Sequence, residues 1–305
     1  MYTNTEWTNS EAARSKLGLS ELGYIRDDYL KYFTHQSLKR TPEINRGYYS
    51  RVYSVAHLVE QFISQEGACA QIVNIGSGFD TLFWRLKNNS EITKFARYVD
   101  VDQIEVQEHK IKVIKENPEL LSACGKIRSF DLNNLHGEDY HAITQDATRS
   151  LQLFEKLTKK CSINPEDPIL FIFECVLLYW HEESCTTLLH SLGKFFPKCS
   201  FVVFDLVNTD DRFSHVMQDA LAKYNTPLHG ADSVKTLKDW NDRFMKSGFK
   251  YEKSWSMVEV YEQLFSDYEK SRIEGLEFLD EKELLTQLFQ HYCLVTASNY
   301  APLDW

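Results

Sequence analysis

Ile72-Val-Asn-Ile-Gly-Ser-Gly-Phe-Asp80 reads as a buried strand that ends in a glycine turn and runs straight on into a helix. Gly76 and Gly78 let the backbone turn sharply and approach a ligand with no Cβ in the way. A dinucleotide fingerprint would place a third glycine near position 81, where this chain has Thr81, so a nicotinamide-dependent oxidoreductase is disfavoured. By itself the turn is also compatible with a plain strand-to-helix connection.

The sequence around this stretch keeps the same rhythm. Short apolar runs at 71–75, 97–101, 126–130, 169–173 and 200–207 alternate with helical patterns near 81–86, 104–115, 150–156 and 182–195. That alternation predicts an α/β fold with a doubly wound, mainly parallel sheet covered on both faces. Upstream, Asn9 and Ser10 are candidate caps of a short helix, and Gly23 breaks its pattern. The segment 44–63 then repeats Val52, Val55, Leu58, Val59, Phe62 and Ile63 at helical spacing. Downstream come helical patterns at 211–223 and 235–246, a strand near 249–255, a periodic helix at 279–292 and a final apolar run at 293–297. The stretch 225–232 reads as a loop insertion. The expected organisation is one domain over 1–305: a helical cap (1–67), a core (68–206 and 247–299) and an insertion after the fifth strand (207–246).

Composition removes several function classes. A formal charge of −10 repels phosphate backbones and anionic membranes, so neither nucleic acid nor membrane is an expected partner. The seven cysteines are scattered with no Cys-x-x-Cys, which matches free thiols in a reducing compartment and predicts no metal site. The start of the chain has no basic segment leading into an apolar one, and the most apolar run, 169–180, is too short to span a bilayer and contains Glu174. A cytoplasmic location is the expectation.

Several positions at strand ends carry chemistry. Asp100 and Asp102 close the second strand, where a carboxylate can accept hydrogen bonds from both hydroxyls of a ribose; Asp102 is the candidate. Asp131 follows the 126–130 run, with Leu132 beside it as apolar surface for an adenine ring. Glu174 would be costly to bury unpaired, so it reaches a cation or escapes at its strand end. Tyr179 lies five residues further on, where its hydroxyl could meet a substrate carboxylate. Lys16, Arg46 and Arg51 precede the core, and a guanidinium is the natural bidentate partner of a carboxylate ligand.

Glycine turn, second-strand acid, Asp131 and Glu174, in that order, resemble an S-adenosylmethionine-dependent methyltransferase of the doubly wound class I type. The strings PEINRGYYSRV (42–52), QIVNIGSGFDTLFWRL (71–86), ECVLLY (174–179), SRIEGLEFLDE (271–281) and ELLTQLFQHYCL (283–294) extend this into a resemblance to the leucine carboxyl methyltransferases from about Lys16 to Thr296. That family methylates the C-terminal leucine of the type 2A serine/threonine phosphatase catalytic subunit. The resemblance implies that Arg51 pairs with the methionine carboxylate of S-adenosylmethionine, with Lys16 beside it and Gly76 forming the turn beneath. It further implies that Asp102 holds the ribose, Asp131 and Leu132 meet the adenine, and Glu174 binds near the methionyl portion. A C-terminal carboxyl group is ionised at neutral pH, so no general base is expected and Tyr179 is assigned the orienting role. The protein is expected to act as a monomer. The alternative within the same superfamily is a carboxyl methyltransferase of a tRNA nucleoside or a small molecule.

Overall fold

The computed structural model describes residues 4–92 and 94–304, so the first three residues of the expected cap lie outside the described residues. Among the described residues nine strands form one sheet: β1 (Gln71–Ile75), β2 (Arg97–Asp102), β3 (Ser129–Phe130), β4 (Asn134–His136), β5 (Tyr140–Thr144), β6 (Ile169–Glu174), β7 (Cys199–Leu206), β8 (Tyr251–Ser256) and β9 (Tyr292–Ser298). Their spatial order is β3-β4-β5-β2-β1-β6-β7-β9-β8. The five central strands from β5 to β7 run parallel, β9 returns antiparallel between β7 and β8, and β3 and β4 make an antiparallel edge beside β5. The winding reverses between β1 and β6. In open parallel sheets such a reversal leaves a crevice at the carboxyl ends of the strands, where ligands bind.

Successive residues of the central strands face opposite sides, and both sides are apolar. On β6, Leu170 and Ile172 join one buried cluster while Ile169, Phe171 and Phe173 join the other. The Pro42–Glu66 helix covers the first face: Val55, Leu58, Val59, Phe62 and Ile63, five of the six stripe residues, pack in the same cluster as Leu170, Ile172, Val202 and Phe204. The helices Ser150–Lys159, Glu182–Phe195 and Leu237–Lys246 cover the second. Trp240 and Phe244 of the last of these pack with Phe201 and Phe249, so part of the 207–246 segment belongs to the cover of the sheet and only its first portion stands apart.

Two expectations change. Asn9 and Ser10 lie inside a longer helix, Asn4–Glu21, and do not cap it. The third parallel strand is β5, not the 126–130 run, of which only Ser129 and Phe130 are extended and lie at the sheet edge. The cause is visible in the sequence: Tyr140–Thr144 is five residues long and has a histidine at its second position, so its apolar signal is weak, although His141 is fully buried.

Candidate active site

A cavity of about 650 Å³ lies at the carboxyl ends of β1, β2, β5, β6 and β7, walled on its open side by the Asn4–Glu21 helix and the segment after β7. Trp7 stacks on Tyr224 with ring centroids 3.8 Å apart, joining the two walls.

The glycine turn forms the floor. Gly76 and Ser77 both donate backbone hydrogen bonds to Val101 O, at 2.8 and 3.3 Å, which fastens the turn to β2. Gly76 has φ +68° and Gly78 φ +50°. A Cβ on Gly76 would meet Val176 Cγ2 at 2.5 Å, and one on Gly78 would meet Asn9 Oδ1 at 2.6 Å. Thr81, standing where a third glycine would be, donates from Oγ1 to Asp27 Oδ2 at 2.5 Å, while Asp27 Oδ1 accepts from the backbone N–H groups of Tyr29 and Leu30.

Glu174, at the end of β6, holds two cations brought from the N-terminal helices. Its Oε1 accepts from Lys16 Nζ at 2.9 Å and from Arg51 Nε at 2.5 Å, and Lys16 Nζ also lies 3.6 Å from Asp80. Burial alone would push the Glu174 carboxyl up, but the charges and hydrogen bonds of Lys16 and Arg51 outweigh it and hold the group well below the usual carboxylate range. The guanidinium of Arg51 is further enclosed by the rings of Tyr48 and Phe204, 5.8 and 5.6 Å from their centroids. Two cations and two carboxylates sum to zero, a set that a zwitterion can enter without leaving a buried charge unpaired.

The two aspartates of β2 separate cleanly. Asp100 turns into the core, where its Oδ2 accepts from Lys110 Nζ at 2.6 Å and Tyr140 Oη at 2.5 Å. Asp102 lines the cavity; its Oδ2 accepts from Gly78 N at 2.7 Å and its Oδ1 from Gln103 N at 2.7 Å. Burial pushes its carboxyl up to about 6, against the lowering effect of those two backbone donors.

Of the residues singled out in the sequence, Lys16, Arg51, Gly76, Asp102, Glu174 and Tyr179 all line this cavity. Asp131 and Leu132 do not. They form the exposed turn of the β3–β4 hairpin, where Asp131 Oδ1 accepts from the backbone of Asn133 and Asn134 and Leu132 is 76% exposed. Gln145, Asp146 and Ala147, which follow the true third strand, line the cavity instead. Arg46 is also elsewhere, donating to Glu277 O at 3.1 Å. The sequence reading missed Asp80, Asp205 and Tyr292 in the wall. Asp205 sits at the end of β7 and was legible as the acid within SFVVFDLV, whereas Tyr292 reaches the site only because β9 turns back beside β7.

The sequence profile of the leucine carboxyl methyltransferase family matches residues 10–193. Leucine carboxyl methyltransferase 1 of Caenorhabditis elegans is 34% identical over 302 residues, spanning 95% of this chain and 90% of that protein. The chain belongs to the leucine carboxyl methyltransferase family. The Rattus norvegicus member is 35% identical over 298 residues, with 96% and 89% of the two chains covered. The tRNA wybutosine-synthesizing protein 4 of Homo sapiens is 31% identical over 300 residues, but the match spans only 43% of its length. Among solved structures, a Thermobifida fusca protein assigned as a methyltransferase has a TM-score of 0.54 at 14% identity, with 89% of this chain and 93% of that one covered. A plantazolicin methyltransferase in complex with SAH has a TM-score of 0.50 at 10% identity, with 96% and 97% covered. The fold is that of the class I methyltransferases, and the sequence match to the leucine carboxyl methyltransferase 1 of Caenorhabditis elegans spans 90% of that protein.

Proposed function

We propose that this chain is an S-adenosylmethionine-dependent carboxyl O-methyltransferase that forms a methyl ester on the C-terminal leucine of a type 2A serine/threonine phosphatase catalytic subunit. The observation that carries the reading is the charge-balanced cluster of Lys16, Arg51, Asp80 and Glu174 beside the glycine turn, in a chain matched by this family over nearly its full length. The cavity fits the cofactor. It offers acid and base for an amino-acid zwitterion at one end, Asp102 for a ribose, and buried polar atoms, Asn9 Nδ2 and Ser77 Oγ, that have no partner among the described residues. When bound, S-adenosylmethionine supplies an electrophilic methyl group.

In this reading Arg51 and Lys16 take the cofactor carboxylate, Glu174 takes its ammonium, and Gln145–Ala147 line the adenine end. A chain-terminal carboxyl titrates at about pH 3.3–3.7, so the substrate carboxylate is already ionised at neutral pH, and the enzyme needs to orient and desolvate it and not to deprotonate it. Tyr179 lines the cavity, its phenol is pushed up by burial, and it is assigned the orienting role as a hydrogen-bond donor. Residues 4–67 form the cap and the 207–246 insertion contributes to the substrate cover, chiefly through its part before the Leu237–Lys246 helix, in a single methyltransferase domain acting as a cytoplasmic monomer with no nucleic-acid or membrane partner. Among the described residues no helix is long and apolar enough to cross a membrane.

Labelled methyl transfer from S-adenosylmethionine to the phosphatase catalytic subunit, run beside a subunit lacking its last leucine, tests the function. Label on the intact subunit alone is expected, and label on neither overturns the acceptor. Tyr179→Phe should lower methyl transfer by roughly 10- to 100-fold, the worth of a hydrogen bond to a charged group, while S-adenosylhomocysteine affinity changes less than about twofold. Equal loss of both would remove Tyr179 from the orienting role.

The carboxyl of Asp102 makes cofactor affinity depend on pH. Ribose hydroxyls donate to its ionised form, so binding favours the deprotonated state. Affinity for S-adenosylhomocysteine should be level above pH 7 and fall as pH drops through about 6. Calorimetric titration between pH 5 and 8 reads this directly; Asp102→Asn should bind about tenfold more weakly at pH 7.5 and lose most of the pH dependence.

A further inference from the structure

His136 and His141 are paired across the antiparallel β4–β5 ladder, so their side chains leave the same face of the sheet. Their Nδ1 atoms are 3.1 Å apart. Cys161, fully buried, comes from the loop after the Ser150–Lys159 helix, and its sulfur and one nitrogen of each ring all lie within 4.8 Å of one another. Asp131, Lys156, Lys160, Arg97 and Arg128 supply the surrounding charge.

We propose that His136, His141 and Cys161 form a three-ligand zinc site, separate from the methyltransferase cavity. Two imidazole nitrogens about 2.0 Å from a tetrahedral zinc are roughly 3.3 Å apart, close to the separation seen here, and a thiolate completes a borderline-soft donor set. His136 is half-buried, which leaves the fourth position open to solvent water. Binding breaks the Cys161 S–H bond, forms Zn–S and releases one proton to solvent. The four nearby cations oppose a dication, so the negative charge of the thiolate is essential to the site. The clamp pins the edge hairpin and the following loop to β5, the strand that delivers Gln145 and Asp146 to the cavity. Its ligands come from three separate segments, which is why no Cys-x-x-Cys marks it in the sequence.

The test is titration of the metal-stripped full chain with Co²⁺ and then Zn²⁺ at pH 7.5. The expected result is one Co²⁺ per chain with a thiolate-to-cobalt charge-transfer band and tetrahedral visible bands, displaced by Zn²⁺. Zn²⁺ should raise the thermal midpoint by about 5 °C when present well above its dissociation constant. Cys161→Ser should abolish the charge-transfer band, and His136→Asn, a change at a half-buried position, should weaken Co²⁺ binding at least tenfold. Absence of the band in the unmodified chain, or its persistence in Cys161→Ser, overturns the site.

Discussion

Arg51→Ala is expected to weaken S-adenosylhomocysteine binding by two to three orders of magnitude and to bring methyl transfer below detection. The guanidinium is enclosed by Glu174, Tyr48 and Phe204, so its loss leaves a buried carboxylate supported by Lys16 alone and removes the fork that would grip an amino-acid carboxylate. Removing the protein side of a buried, hydrogen-bonded charge pair with a ligand costs about 2–5 kcal/mol of affinity, and each 1.4 kcal/mol is a factor of ten. Arg51→Lys keeps the charge and loses the planar fork, so it should retain measurable binding at about a tenth or less of the native affinity. Isothermal titration of the three proteins gives the ranking. An Arg51→Ala protein that binds within threefold of the native chain would show that the carboxylate clamp lies elsewhere.

Gly76→Ala is expected to be strongly destabilising. The residue holds φ +68°, where an L side chain costs about 1–2 kcal/mol, and its new methyl would sit 2.5 Å from Val176 Cγ2, adding about 1–3 kcal/mol of overpacking. A fall of roughly 5–15 °C in thermal midpoint is expected, together with loss of cofactor binding. The two contributions can be separated. Val176→Ala in the same chain removes the methyl that is struck and should recover part of the midpoint, while the backbone cost at Gly76 remains.

The parallel core was legible because its strands are buried on both faces, and continuous apolar runs such as Ile169–Phe173 have few other readings. The glycine turn was equally legible, since close approach to Val176 and Asn9 leaves no room for a side chain. The end of the cavity beyond β5 was not. Asp131 follows a run that looked like a strand, whereas the strand that matters contains a buried histidine, and its neighbour in space is a hairpin that no local pattern announces. Lys16 could be assigned only by resemblance; nothing near it in the sequence predicts a partner 158 residues away. The choice between Asp100 and Asp102 needed the structure too, because it depends on Lys110 and Tyr140 capturing the first.

The hydrogen bond between Asp27 and Thr81 bears on how the chain can be divided. One carboxylate shapes the turn after the N-terminal helix through Tyr29 and Leu30, and at the same time anchors the start of the helix that follows the glycine loop. Lys16 and Arg51, from the same first stretch, complete the charge balance of a strand end in the core. The boundary near residue 67 therefore marks a change of secondary structure and not a seam for cutting. Cutting there would strip Glu174 of both its cations and Thr81 of its acceptor, so the glycine loop depends on the stretch before it.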